Sequence, residues 1–258
     1  MAGIFITGAT DGLGLAAARL LIEQGHSVTG HARNERRAEQ LRRRLPGMAD
    51  VLIADLSSKR QTVDLANRAN RGGAFDAVIH NAGVGYREPR KITTEDGHAH
   101  VLAINVLAPY ILTCLMDRPR RLVYLSSGMH HSGDADTRDM DWDHRPWNGA
   151  QAYADSKLYD ATLAFAVARL WPGVLSNALE PGWVPTKMGG PGAPDDIELA
   201  HITQAWLAAA DDPAAKVSGR YFYHQKETAP ATDALDPAFQ DELLLSLEEL
   251  TSVRFPPQ

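Results

Sequence analysis

Cysteine is all but missing: Cys114 stands alone among 258 residues. One thiol excludes an intrachain disulfide and suits a reducing compartment. No uninterrupted apolar run approaches the roughly 20 residues that cross a bilayer, so no membrane span is expected. Basic charge is not in excess. The 26 Lys and Arg are outnumbered by 32 Asp and Glu, giving a formal charge of −6. Nucleic acid is therefore not expected as a partner, because phosphate-backbone binding needs a basic surface. No basic segment precedes the first apolar run, Ile4-Phe5-Ile6; no signal peptide is expected, and a cytoplasmic location follows as the default. The pair His130-His131 lacks a cysteine or a spaced carboxylate to complete a ligand set, so no metal site is expected. There is no low-complexity tract and no linker.

What is present is a globular composition, 44% hydrophobic, and an alternation of short apolar runs with helical patterns. The apolar runs predict strands at residues 4–7, 27–31, 51–54, 77–80, 121–125 and 175–179. The helical spacings predict helices at 13–24, 35–45, 61–69, 98–116 and 151–170. Most strand runs are continuous rather than alternating, the pattern of strands covered on both faces. Strand–helix repetition implies right-handed crossovers and a doubly wound α/β fold: one Rossmann-type parallel sheet with helices on both faces. One domain is expected over 1–258, with a helical tail at about 227–258 whose helix runs from Pro237 to Leu250. The long polar segment 128–149 is expected to be functional or mobile. Its acidic residues, Asp134, Asp136, Asp139, Asp141 and Asp143, are expected to form a solvated loop.

Ligands of such sheets bind beyond the carboxyl ends of the strands. The residues there are Gly8, Arg33, Asp55, Asn81, Ser127 and Pro181. The run Thr7-Gly8-Ala9-Thr10-Asp11-Gly12-Leu13-Gly14 joins strand to helix. Its glycines permit a sharp turn and close approach to a pyrophosphate, and the helix N-terminus adds positive potential. The same glycines would also serve a turn with no ligand. After the second strand an acidic residue would hold a ribose and repel a 2′-phosphate; here there is none before Glu35. Arg33 can pair with a 2′-phosphate, which favours NADP(H) over NAD(H), or it is a solvated turn residue. Asp55 either contacts the adenine amine or caps the following turn.

Tyr153 and Lys157 lie one helical turn apart and share a face. A free phenol has a pKa of about 10 and is a poor base at neutral pH. A nearby ammonium, helped by the positive charge of oxidised nicotinamide, is expected to bring it down and make it a proton-transfer group. Ser127, at the end of the fifth strand, can donate to a substrate oxygen, whereas Ser126 is expected to turn toward the backbone. Asn105 is a polar amide among apolar neighbours and must find partners. It serves a water relay to Lys157, a helix kink, or both.

Assembled in order, these residues resemble the short-chain dehydrogenase/reductase family, over roughly residues 3–225. The likeness rests on the Thr7–Gly14 loop, Asp55-Leu56, Asn81-Ala82-Gly83, Asn105, Ser126-Ser127, Tyr153-x-x-x-Lys157 and Pro181-Gly182-Trp183-Val184-x-Thr186. The resemblance implies a catalytic set of Ser127, Tyr153, Lys157 and Asn105. It implies that Gly8, Thr10, Asp11, Gly12, Leu13 and Gly14 cradle the cofactor, with Asp55, Leu56, Asn81, Ala82 and Gly83 on the adenine–ribose side. Pro181, Gly182, Val184 and Thr186 would lie at the nicotinamide amide. The long segment before Tyr153 looks like the retinol dehydrogenase-related branch, which often acts on lipophilic alcohols and carbonyls. His80 departs from the family's usual asparagine, and a packing effect is expected.

Met129, Trp142, Trp147, Trp183, Met188 and Trp206 fall in segments expected to border the pocket, where large apolar side chains suit a mid-sized apolar carbonyl compound. At least half of the tryptophans are expected merely to anchor loops. The function expected is NADP(H)-dependent interconversion of a carbonyl and an alcohol on a small molecule. A second class is a cofactor-sensing binding protein of the same fold without turnover. A nucleotide-sugar epimerase is disfavoured because the chain lacks a larger substrate portion. Homo-oligomerisation is left open.

Overall fold

The computed structural model describes residues 1–257. Eight strands form one sheet in the order β3-β2-β1-β4-β5-β6-β7-β8. The first seven are parallel, and β8 pairs antiparallel with β7. They are β1 (Gly3–Ile6), β2 (Ser27–Ala32), β3 (Asp50–Ile53), β4 (Ala77–His80), β5 (Arg121–Leu125), β6 (Leu175–Glu180), β7 (Tyr221–Tyr223) and β8 (Lys226–Glu227). The helices are α1 (Gly12–Glu23), α2 (Glu35–Arg44), α3 (Lys59–Arg71), α4 (His100–Leu102), α5 (Ala108–Leu115), α6 (Gly149–Leu170), α7 (Ile197–Ala200), α8 (Ile202–Ala209) and α9 (Pro237–Thr251).

The continuous apolar strands are buried on both faces, as their sequences require. One core layer sets Ile4, Ile6, Val28 and Ile79 against Leu15, Leu21 and Leu41 of α1 and α2. The other sets Phe5, Val78 and Tyr124 against Leu65 of α3, Ile111 of α5 and Phe165 of α6. Helix starts follow capping chemistry. Asp11, Asn34 and Asn148 sit in extended backbone, and their side chains accept from the first free N–H groups of α1, α2 and α6. The chain reverses its winding between β1 and β4, which opens a crevice at the carboxyl ends of the strands.

Three features differ from the sequence expectations, and a fourth, the placement of the tail, is left open by them. The sheet has eight strands, not six. The helix expected over 98–116 is divided: a π-helical turn, Ala103–Leu107, lies between α4 and α5 and carries Asn105 at its middle. Such turns are rare and are frequently found at functional sites. The segment 128–149 is not a loose acidic loop. Arg145 ties it together, meeting Asp155 at 3.0 Å and the Trp142 ring at 3.7 Å, while Asp141 binds His98 at 2.8 Å. The tail is docked. Phe239, Leu243, Leu244 and Leu247 of α9 join the core beside α6, each worth about 1.5–3 kcal/mol on burial. No helix among the described residues is long and apolar enough to cross a membrane.

Candidate active site

The crevice is a cleft of about 1390 Å³. Every residue expected to hold the cofactor lines it, and so do Ser127, Tyr153 and Lys157. Asn105 does not; it is completely buried behind the wall.

The glycine loop is shaped by close approach. Gly8 has φ +67° and Gly12 φ +49°, the left-handed region that favours glycine. A β-carbon on Gly14 would fall 2.5 Å from the Gly8 carbonyl oxygen. Two residues hold the loop to the sheet. Asn81 Nδ2 donates to the carbonyls of Thr7 (2.9 Å) and Gly8 (3.2 Å). The Gly8 N–H donates to His31 Nδ1 at 3.1 Å, while His31 Nε2 donates to the Ala54 carbonyl at 2.8 Å. His31 thus ties the loop to the end of β3, and burial drives its pKa down to about 4. This pin is not evident from sequence, where His31 reads as the last residue of an apolar strand.

Beside β2 the cleft is rimmed by guanidinium groups. Arg33 and Arg36 are exposed and have no acceptor among the described residues. Arg37 pairs with Asp11 at 3.3 Å, and Lys187 pairs with the same carboxylate from across the cleft. The Lys187 contact, more than burial opposes it, holds Asp11 below the usual carboxylate range. Asp55 accepts from the N–H and hydroxyl of Ser57, at 3.0 and 2.8 Å. It therefore caps its turn while also facing the cleft. Leu56, Ala82 and Gly83 form the floor between these groups and the phenol.

At the other end α6 carries Tyr153 and Lys157, both under 7% exposed. Ser127, two residues beyond β5, also lines the cleft and caps the 3-10 turn Gly128–Ser132, its hydroxyl accepting from the Met129 N–H at 3.3 Å. Ser126 does turn to the backbone, donating to the Lys157 carbonyl at 2.7 Å. Tyr153 packs edge-on to Tyr86, with ring centroids 5.7 Å apart, and its hydroxyl lies 3.9 Å from Met188 Sδ. Asn105 fastens this region. Its Oδ1 accepts from Val84 N at 2.8 Å, and its Nδ2 donates to Val84 O (3.1 Å) and Ser156 Oγ (3.0 Å). Both amide hydrogens are spent on the strand-to-loop junction and on α6.

The ammonium acts on the phenol in the expected direction, but other influences oppose it. Lys157 and Ser127 do pull the Tyr153 pKa downward, but burial is the larger effect and leaves it above its ordinary value. A carboxylate contributes to this: Asp160, which no sequence motif marks, binds Lys157 Nζ at 2.7 Å. The signal was available as an acidic residue three positions after the lysine.

Of the expected apolar border, Met129, Trp183 and Met188 line the cleft. Trp142 and Trp147 pack on each other behind Tyr153, ring centroids 5.7 Å apart. Trp206 packs on Phe222 away from the cleft. His80 is buried against the Tyr124 ring and contacts Thr113 Oγ1 at 3.2 Å, a packing role. His130 donates from Nδ1 to the Ser127 carbonyl at 2.7 Å and accepts at Nε2 from the Ala231 N–H at 2.9 Å, joining the tail to the serine turn.

Known proteins resemble this chain in sequence and in fold. The family described as short chain dehydrogenase matches residues 2–119. The chain is 40% identical to the short-chain dehydrogenase chyC of Penicillium rubens, over 99% of this chain and all of that one. It is 30% identical to human retinol dehydrogenase 13, over 98% and 85% of the two chains. In structure it resembles a crystallised protein from Mycobacterium paratuberculosis, with a TM-score of 0.85 at 24% identity over 99% and 95% of the chains. Sequence likeness along the whole length, on a sheet wound in this order, makes the chain a member of the short-chain dehydrogenase/reductase family.

Proposed function

We propose that the protein is an NADP(H)-dependent oxidoreductase, working as one domain, that interconverts a carbonyl and an alcohol on a lipophilic small molecule. The observation that carries this reading is the convergence of Ser127, Tyr153 and Lys157 in the cleft that the glycine loop opens. The shape of that loop fits a pyrophosphate, since a β-carbon at Gly14 would close it. Gly8 to Gly14 would hold the phosphates, Arg33 and Arg36 a 2′-phosphate, Asp55 to Gly83 the adenosine side, and Pro181 to Thr186 the nicotinamide amide. The bound cofactor supplies or accepts the hydride.

The protein's own residues handle the proton. In reduction, Tyr153 donates from its hydroxyl to the carbonyl oxygen. Ser127 Oγ donates to that same oxygen and stabilises the charge that develops on it. Lys157 Nζ, anchored by the Leu125 carbonyl at 2.7 Å, steadies the phenol's surroundings and would hold the ribose of a bound cofactor. Asn105 keeps Val84 and Ser156 in place. Met129, Trp183 and Met188 give the substrate side of the cleft an apolar surface suited to a lipophilic molecule. The test is NADPH absorbance against aldehydes, ketones and quinones, with the reverse alcohol assay. Tyr153→Phe should keep NADPH affinity while turnover falls at least about a hundredfold, the scale of losing a general acid. Unchanged turnover on a competent substrate removes Tyr153 from the mechanism.

A further inference from the structure

Lys157 does not stand alone at the base of the cleft. Asp160 follows it by three residues on α6, and its Oδ2 accepts from Nζ at 2.7 Å. The side chains are 5% and 4% exposed. Among the described residues, no other ion pair has both partners so buried; His98–Asp141 leaves its side chains 15% and 13% exposed, and Arg145–Asp155 leaves its arginine 27% exposed. Nζ also donates to the Leu125 carbonyl at 2.7 Å. Two of its three N–H bonds are therefore fixed, and one is left for the cleft.

A carboxylate in this place is expensive. Asp160 Oδ1 is buried without a partner, and burial raises the acid to about 6 against the pull of Lys157. Buried ion pairs are poor stabilisers compared with apolar side chains of similar size. The pair therefore has an electrostatic consequence rather than a packing benefit. A lone ammonium near a phenol favours the phenolate; an ammonium joined to a carboxylate has little net charge, and the favour is largely cancelled. Accordingly Asp160 acts to raise the Tyr153 pKa where Lys157 acts to lower it.

The other ionisable groups packed around the pair do not alter this near neutral pH. Tyr124 of β5 and Tyr221 of β7 are pushed above their ordinary range by burial. His80 of β4 and His130 after β5 are held neutral by burial, down to about 3 and about 4. Tyr86 faces Tyr153 from the loop after β4.

We propose that Asp160 is a positioning residue: it fixes Lys157 and cancels its charge, so that Tyr153 stays a protonated donor and the site favours carbonyl reduction at neutral pH. This rests on the reading of Tyr153 as the proton donor. In that direction the carbonyl carbon gains a hydride from reduced nicotinamide, its oxygen gains the Tyr153 proton, and solvent replaces that proton. Alcohol oxidation needs the phenolate instead, which is scarce until the pH is high.

The test follows the phenol itself in the free enzyme. With 13C-labelled tyrosine, the Tyr153 resonance is assigned by its loss in Tyr153→Phe and titrated by NMR. In the natural protein it should titrate at or above the ordinary value of about 10. In Asp160→Asn it should fall by about one pH unit or more, and the alkaline rise of alcohol oxidation should move down with it; Asp160→Glu should restore both. A phenol that titrates below about 8 in the natural protein, or one unmoved in folded Asp160→Asn, overturns the proposal. If Asp160→Asn does not fold, the titration of the natural protein decides alone. Retained turnover in Tyr153→Phe defeats the reading of Tyr153, whereas lost turnover with an unmoved titration defeats only the role of Asp160.

Discussion

The two ends of the cleft hold charge in opposite ways. Beside β2, Arg33 and Arg36 stand in solvent with their guanidinium groups uncommitted. Below the phenol, Lys157 and Asp160 are sealed from water and bound to each other. A pair of charges 4 Å apart is worth about 1 kcal/mol in water and several times that near a protein surface or inside. Exposed arginines can thus attract and discriminate an anion without imposing a large cost on the empty fold. Buried charges alter the protonation of their neighbours strongly, but every one of them must be matched. The open end suits selection and the closed end suits chemistry.

This contrast can be broken from either side. The largest effect is expected at the closed end. Asn105→Ala leaves the Val84 N–H and C=O and the Ser156 hydroxyl without their partner inside the wall. At about 1–3 kcal/mol for each buried group left unpaired, stability should fall by about 3 kcal/mol or more. Chemical denaturation measures it, and a loss under about 1 kcal/mol would show that the π-helical turn is held by something else.

Next is the pin under the glycine loop. His31 has a folded pKa of about 4 against an ordinary 6.5, so between these values the unfolded chain binds more protons. Its contribution is intact above pH 6.5 and is lost as pH falls through about 4. The total is about 3 kcal/mol at 1.36 kcal/mol per pH unit. Denaturation from pH 7 to 4 should show a pH-dependent loss smaller by about this amount in His31→Gln. Equal slopes would mean that the imidazole is not buried neutral.

The smallest effect is expected at the open rim. Arg33→Ala should weaken NADPH binding by about tenfold, the scale of one exposed charge-assisted contact, and NADH binding much less. The difference should shrink in high salt. Titration with both cofactors reads it, and equal losses would remove the phosphate role from Arg33.

The elements that sequence exposes are those in which local pattern and final environment agree. β4 and β5 run over the residues expected, because a continuous apolar run can only be satisfied between two helical layers. α6 starts two residues earlier than its apolar pattern, since Asn148 caps it. β7, only Tyr221–Tyr223, is too short for periodicity to register. The π-helical turn at Asn105 leaves no mark in a helical pattern, because it inserts a hydrogen-bond shift rather than a change of residue type. The acidic run of 128–149 looked solvated because composition alone cannot show that Arg145 would gather it.

By itself, then, the sequence determined the alternation of strands and helices and the six strand ends that face the cleft, since apolar runs and residue position are written along the chain and crossovers take one hand. Only the tertiary structure decided the burial of the phenol, the pinning of the glycine loop by His31, and the pairing of Lys157 with Asp160. Each depends on how completely water is excluded from groups far apart in the chain or turned toward a common wall, and exclusion of water is a property of the packed molecule rather than of any segment in it.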